Sequence, residues 1–389
     1  MDFRDSPEEA AFRAELRGWL RENWTERQLR AGRPDVDFHR DWSRRLHKAG
    51  YVGLSWPAEY GGRGLSPTYQ AIYYEETARA GAPGHLGVIG LNMAGPTIIA
   101  WGTGEQKARF LPPLLAGEEI WCQGFSEPGS GSDLAGARTR AVLDGDHWVV
   151  NGQKVWSSYA QVADWCILVV RTDPDAPKHQ GLSYLLVDMH APGVQVRPLR
   201  QITGDPEFNE IFFTDVRVPA GSILGQPGDG WRVAMTTLLH ERGTLSFGLA
   251  AALQRQVDLL VELAGRPAPD GTVPARDPLV RDAIAREWVE LQALRFTNYR
   301  MLSTLLRTGT PGPEGSIAKL VWSEANQRLG KLAVSLQGLA GALAGEDATS
   351  GGYWQYHQLR SRGNTIEAGT SEILRNITAE RVLGLPRSR

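Results

Sequence analysis

Trp148-Val149-Val150-Asn151-Gly152-Gln153-Lys154-Val155-Trp156-Ser157-Ser158 interrupts a chain whose apolar residues otherwise recur mostly at helical spacing. Asn-Gly is the dipeptide that accepts the left-handed backbone of a tight hairpin turn, so two strands joined at residues 151 and 152 are expected. Downstream, the apolar runs Trp165 to Val170 and Tyr184 to Val187 read as further strands, as do the alternations in Val194-Gln195-Val196 and Ile211 to Val218. A small antiparallel sheet domain over residues 118–228 follows. Upstream, Ser6-Pro7-Glu8-Glu9 combines a capping residue, a proline at the first helical position and early acids, ahead of Phe12, Leu16, Trp19 and Leu20. More helices are expected from Asp37 to Ala49, Thr68 to Arg79 and Gly104 to Leu115, giving a helical domain over 1–117. After Trp231 the helical period returns. Leu238, Leu245, Leu249, Leu253, Val257, Leu260 and Leu263 mark one stripe on a helix of roughly thirty residues. With helices near Leu279 to Leu306, Ser316 to Leu336 and Ser371 to Val382, it predicts a four-helix bundle over 229–389. The expected class is therefore α+β and multidomain.

Composition narrows the function. The chain of 389 residues is 42% hydrophobic and carries 42 Lys and Arg against 44 Asp and Glu, a net charge of −2, with no Lys/Arg run. Nucleic acid is therefore not expected as a partner, and no apolar run is long enough to span a bilayer. Cys122 and Cys166 are the two cysteines; the second lies in Cys166-Ile167-Leu168-Val169-Val170, which predicts a buried reduced thiol. The mixed-charge start Met1-Asp2-Phe3-Arg4-Asp5 is unlike a targeting segment, so a cytoplasmic protein is expected.

Common chemical signatures are missing from the sequence. There is no Walker loop, no G-x-G-x-x-G after a strand, no paired histidine spacing and no C-x-x-C, so neither a Rossmann site nor a metal site is expected. Two segments instead offer backbone donors and hydroxyls. Phe125-Ser126-Glu127-Pro128-Gly129-Ser130-Gly131-Ser132-Asp133-Leu134-Ala135-Gly136 can bring N–H groups and serine hydroxyls to a heteroaromatic edge or a phosphate. Lys154-Val155-Trp156-Ser157-Ser158 sets an indole beside two hydroxyls, suited to covering a ring face and meeting its edge.

In order along the chain, Gly104-Glu105-Gln106-Lys107, the Ser126 to Asp133 loop, Asn151 to Trp156, Ala163-Asp164-Trp165, Asp215-Val216-Arg217-Val218-Pro219 and Gly369-Thr370-Ser371-Glu372-Ile373 together resemble the acyl-CoA dehydrogenase family. The resemblance spans almost the whole chain. It implies an N-terminal helical domain, a central β-domain and a C-terminal four-helix bundle. It also implies FAD as cofactor, conversion of an acyl-CoA thioester to trans-2-enoyl-CoA, and an electron-transfer flavoprotein as acceptor. By position in the motifs, Ser126 and Ser158 would meet the flavin ring, Trp156 would pack near it, and Ser132 would approach CoA. Gln337-Gly338-Leu339-Ala340-Gly341 resembles the Q-x-x-G-G region that touches FAD of a neighbouring subunit; Thr370 and Glu372 lie in the segment near the cofactor.

Two departures sharpen the expectation. Where many members carry E-G-T, this chain has Ala368-Gly369-Thr370, and Glu367 falls one position early. Other members place the base in an E-R pair on the first bundle helix, which Glu241-Arg242 matches. Glu241 is therefore the expected base, with Arg242 beside it on the substrate side and the N–H of Ala368 available to the thioester carbonyl. The second departure is Arg266-Pro267-Ala268-Pro269-Asp270 in place of R-x-x-F-G, which leaves Arg266 as a phosphate contact but lacks the aromatic and the glycine. That resembles the steroid-degradation members, in which two different subunits form an α2β2 assembly. The chain is then expected to be the base-bearing subunit, acting on a bulky acyl-CoA for which Gly243 and Gly248 leave room. Open alternatives are a homotetrameric short- or branched-chain dehydrogenase, an acyl-CoA oxidase or flavin monooxygenase of the same fold, and a silent partner subunit.

Overall fold

The computed structural model describes residues 4–25, 35–241, 244–268, 271–309 and 312–386, the side chains of 241 and 346 excepted. Helices α1 (Pro7–Asn23), α2 (Val36–Lys48), α3 (Pro67–Arg79), α4 (Gly95–Trp101) and α5 (Gly104–Ala116) come first. Strands β1 (Trp121–Gly124), β2 (Arg140–Asp144), β3 (His147–Ser158), β4 (Trp165–Arg171), β5 (Leu182–Asp188), β6 (Val194–Leu199) and β7 (Phe208–Pro219) follow. Then come α6 (Gly230–Glu241), α7 (Leu245–Gly265), α8 (Pro278–Thr308), α9 (Glu314–Ser335), α10 (Tyr353–Arg360) and α11 (Ser371–Ile377).

These elements form two compact units that cut across the chain order. One comprises Met1–Pro34, Leu65–Pro83 and Arg242–Arg389; the other comprises Asp35–Gly64 and Gly84–Glu241. The first is helical. Its α1 starts as the sequence predicts, with the Ser6 hydroxyl accepting from Glu9 N–H at 3.2 Å and the Glu9 carboxylate accepting from Ser6 N–H at 2.8 Å. Phe12, Leu16 and Leu20 make its buried face. Arg13 then ties α1 to α3 through Glu75 and Glu76, both at 2.7 Å. The bundle core is built from Leu253, Val257, Leu260, Leu291, Leu329 and Trp354 among others. Among the described residues no helix is long and apolar enough to cross a membrane.

The second unit holds the sheet, in the order β1-β4-β2-β3-β7-β6 with β5 on β4. Two of the sequence expectations need correction here. Asn151-Gly152 is no hairpin turn: β3 runs through it, and the hairpin closes earlier, where Asp144 pairs with His147 around Gly145 at φ 62°. Residues 151 and 152 form a bulge against β7, held by Asn151 Nδ2 donating to Asp215 Oδ1 at 3.0 Å and Asp215 N–H donating to Asn151 Oδ1 at 2.9 Å. Glycine is needed at 152 because a Cβ there would lie 2.7 Å from Thr139 Cα, at a φ of 151°. The sheet is also mixed: β1 and β2 pair with β4 in parallel, while the remaining pairings are antiparallel. Cys122 and Cys166 are opposite each other across β1 and β4, buried and unbridged, and burial pushes the Cys122 thiol up.

The single long helix expected after Trp231 is assigned as α6 and α7, either side of residues 242 and 243, which lie outside the described residues. The helix α6 belongs with the sheet unit.

Two buried histidines make stability depend on pH. Burial, reinforced by His47 and His39, pushes the His85 imidazole down to about 3, and burial pushes His357 down to about 4. The unfolded chain binds these protons below pH ~6.5 and the folded chain does not, so stability falls as pH drops from 6.5 toward those values. Each histidine contributes a slope of about 1.4 kcal/mol per pH unit. In His85→Asn, whose amide oxygen can still accept the 2.9 Å bond from Gly87 N–H, unfolding midpoints between pH 6.5 and 4.5 are expected to fall less steeply than in the wild type. An unchanged slope would show that His85 takes up its proton in the folded state.

Candidate active site

In the sheet unit the glycine-serine loop is anchored by a buried ion pair. Lys154 on β3 is fully buried, and its Nζ donates to Glu127 Oε1 at 2.8 Å and to the Phe125 carbonyl at 3.1 Å. The Glu127 carboxylate also accepts from Arg138 N–H at 2.7 Å and Thr139 N–H at 2.8 Å. Burial would raise its pKa; the Lys154 ammonium and those two N–H groups outweigh burial and hold it below the usual carboxylate range. The loop closes on itself through paired Glu127 and Ser130 backbone bonds of 2.9 Å.

Three of the residues predicted to meet the cofactor lie on this loop and on β3. The Ser126 carbonyl accepts from Val155 N–H at 2.9 Å, which ties Ser126 to the strand that also carries Trp156 and Ser158. Trp156 lies in a register shift between Lys154 and Ser157, at φ 63°, and is 61% exposed. A positive φ on a bulky residue costs about 1–2 kcal/mol, and exposing an indole adds no burial in return. Strain of this kind concentrates at functional sites. Ser126 and Ser158 are half-buried, while Ser157 Oγ is buried with no partner. Ser132 is exposed at the loop tip, next to Asp133, which pairs with Lys178.

Helix α6 is locked to this unit by buried hydroxyls. Thr237 Oγ1 lies 2.9 Å from Thr97 Oγ1 and 3.0 Å from the Tyr184 hydroxyl, and Thr97 donates to the Met93 carbonyl at 2.7 Å. At its start Gly230 lies against β5, where a Cβ would come within 2.5 Å of Ser183 N. Glu241 is the last residue of α6, one turn beyond Thr237. Its side chain and all of Arg242 lie outside the described residues.

In the helical unit the segment 360–372 is a tied-down turn. Glu367 accepts from Arg360 at 3.0 and 3.3 Å and from Asn364 Nδ2 at 2.6 Å, and Asn364 Oδ1 accepts from Asn326 Nδ2 at 2.7 Å. Ala368 follows, exposed and at φ 53°, then Gly369 at φ 95°. Lys319 Nζ donates to the Gly369 carbonyl at 2.7 Å. Thr370 caps α11, its hydroxyl accepting from Ile373 N–H at 3.2 Å. Thr370 and the exposed Glu372 line a groove of about 460 Å³ with Gln327, Arg328, Thr365 and Ile366.

The other predicted contacts are placed as follows. Gln337 is buried, its amide donating to the Ala333 carbonyl at 3.1 Å and accepting from Gln355 at 3.0 Å, so its polar atoms are engaged inside the bundle. Gly338–Ala342, including Gly341, is a 3-10 turn that presents Leu339 at 96% exposure. Arg266 follows α7, exposed, 3.7 Å from Glu262.

Comparison with known proteins defines the class. The acyl-CoA dehydrogenase N-terminal, middle and C-terminal domain models match residues 6–118, 122–216 and 228–383. The chain belongs to the acyl-CoA dehydrogenase family, oxidoreductases that act on the CH–CH bond of acyl-CoA thioesters with FAD as cofactor. Among individual relatives, acyl-CoA dehydrogenase IpdE1 of Mycobacterium tuberculosis is 46% identical over 385 residues, covering 97% of each chain. The ChsE4-ChsE5 complex from Mycobacterium tuberculosis contains a chain of 34% identity that superposes with a TM-score of 0.87 over the full length of both chains. A chain of the Tcur3481-Tcur3483 steroid ACAD matches with the same identity, TM-score and coverage.

The residues present fit the flavin. An exposed indole on strained backbone and two half-buried hydroxyls are groups of the kind that can cover the face and meet the polar edges of a heteroaromatic ring. Sequence reasoning passed over Glu127 and Lys154 as the loop's anchor. Their signal was a charged residue, Lys154, between Gln153 and Val155 on a strand.

Proposed function

We propose that this chain oxidises a bulky acyl-CoA to the trans-2-enoyl-CoA, with Glu241 as the base, as one subunit of an α2β2 assembly. The observation that carries the assignment of the base is the turn at 367–369. Position 368 holds alanine, and the neighbouring Glu367 carboxylate is already occupied by Arg360 and Asn364. That leaves the Glu241-Arg242 pair as the family's alternative site for the base.

In this reading Glu241 takes the α-proton, and the α-carbon's electron pair forms the double bond as the β-hydrogen leaves with its pair. Bound FAD supplies the hydride acceptor. The α-proton of a thioester is weakly acidic, so the developing enolate needs donors at its carbonyl oxygen, a role the family resemblance gives to the N–H of Ala368. Trp156, Ser126 and Ser158 would hold the flavin ring, the indole suited to its face and the hydroxyls to its edge. Ser132 would contact the CoA portion, Thr370 and Glu372 the cofactor, Gly338 and Gly341 the cofactor of a neighbouring subunit, and Arg266 a phosphate. Gln337 contributes through its place in the turn, since its amide is engaged. Electrons pass onward to an electron-transfer flavoprotein.

The substrate class and assembly draw support from the relatives, one of which is titled a steroid ACAD and two of which are named as pairs of different chains. The test is co-expression with a second dehydrogenase-like chain, FAD counting and an anaerobic screen of acyl-CoAs. The expected result is a heteromer with FAD in half of the potential sites, bleached by steroid side-chain acyl-CoA and slow to reoxidise in air. A homotetramer of this chain with one FAD per subunit would overturn the assembly, and fast reoxidation by oxygen would favour an oxidase.

A further inference from the structure

We infer that Lys319 is a positioning residue, which holds the Ala368 N–H in the orientation that polarises the thioester carbonyl. The inference rests on the reading above that this N–H meets the carbonyl. The turn carrying it has two consecutive left-handed residues, Ala368 at 53° and Gly369 at 95°. Glycine is permissive at such angles and alanine resists them, so these two residues by themselves do not keep the 367–368 peptide plane in one orientation. Two outside anchors do. Ahead of the plane, the Glu367 carboxylate sits in the fork of Arg360 with Asn364 at 2.6 Å. Behind it, Lys319 of α9 reaches the Gly369 carbonyl at 2.7 Å with a charged donor. Lys319 is half-buried and the Ala368 it positions is exposed, so the clamp is more covered than the residue that carries the donor.

The experiment uses the flavin-loaded holoenzyme and an aryl-acryloyl-CoA, whose conjugated thioester absorbs further to the red when its carbonyl accepts a strong hydrogen bond. Wild type is expected to shift the probe's band on binding. Lys319→Met is expected to lose most of that shift and to lower kcat by about tenfold to a hundredfold, less than the 10²–10³ of deleting such a donor outright, with KM little changed. Lys319→Arg, which keeps a charged donor, should restore part of the shift. A full shift in Lys319→Met overturns the inference while leaving the role of the Ala368 N–H intact. Absence of any shift in wild type removes that role, and the inference with it. Loss of FAD or of folding in Lys319→Met, with Lys319→Arg shifting the probe no better than Lys319→Gln, would make the lysine structural and also overturn the proposal.

Discussion

Glu241→Gln is expected to abolish bleaching of the flavin by substrate, slowing reduction by at least about 10²–10⁴-fold, the range that a positioned general base supplies. The change keeps the shape and helix compatibility of the side chain and removes its capacity to take a proton. Substrate affinity should therefore stay within a few fold of wild type, so that the loss appears in kcat. Glu367→Gln is the matched control. Its carboxylate is held by Arg360 and Asn364, with Asn326 behind Asn364, and its substitution should loosen the turn rather than remove the proton acceptor. Reduction in that variant is expected to fall by about tenfold at most. Anaerobic stopped-flow at saturating acyl-CoA separates the cases. If Glu241→Gln is reduced at the wild-type rate and Glu367→Gln is not, the base belongs at 367 and the Arg360 fork must open when substrate binds.

Much of the architecture was legible in local pattern. Ser6-Pro7-Glu8-Glu9 gave the start of α1 because capping is a local interaction, and the run beginning at Trp165 gave β4 because a strand buried on both faces needs continuous apolar residues. Asn151-Gly152 misled because a bulge and a hairpin turn ask for the same backbone freedom. Only the partner strands decide between them, and Asp215, far along the chain, is the partner. Strands β1 and β2 escaped notice for want of length, each being under six residues. Among the site residues, Ser126, Trp156 and Ser158 were singled out by their place in the family's motifs, and the Val155 to Ser126 bond ties the first of them to the strand carrying the other two. The clamps Lys154 with Glu127 and Lys319 with Gly369 were not, since each joins residues 27 or 50 positions apart and periodicity reports which way a side chain faces without reporting what it meets.

Breaking the Lys154–Glu127 pair should be the most destabilising single change in the sheet unit. With Lys154 fully buried and Glu127 9% exposed, removal of either partner leaves a buried charge uncompensated, which costs about 3–5 kcal/mol. That corresponds to a loss of roughly 6–20 °C in Tm for a unit of this size. The two substitutions should differ in degree. Lys154→Met leaves Glu127 with two backbone N–H donors, whereas Glu127→Ala orphans those N–H groups and leaves the ammonium without its counter-charge, held by the Phe125 carbonyl, so Glu127→Ala should be the worse. The pH response supplies a second readout. Glu127 titrates below its ordinary value in the folded chain, so its contribution is present above about pH 4.5 and is lost as pH falls through the folded value. Without the ammonium that value rises, and the acid limb of the stability curve in Lys154→Met should move to higher pH. Because the pair anchors the loop that carries Ser126 and Ser132, flavin content should drop alongside Tm even at temperatures where the fold persists. A Lys154→Met chain that melts within about 2 °C of wild type and retains its full flavin would show that water reaches the carboxylate, and that the loop is held by its backbone bonds to Val155 and Ser130 alone.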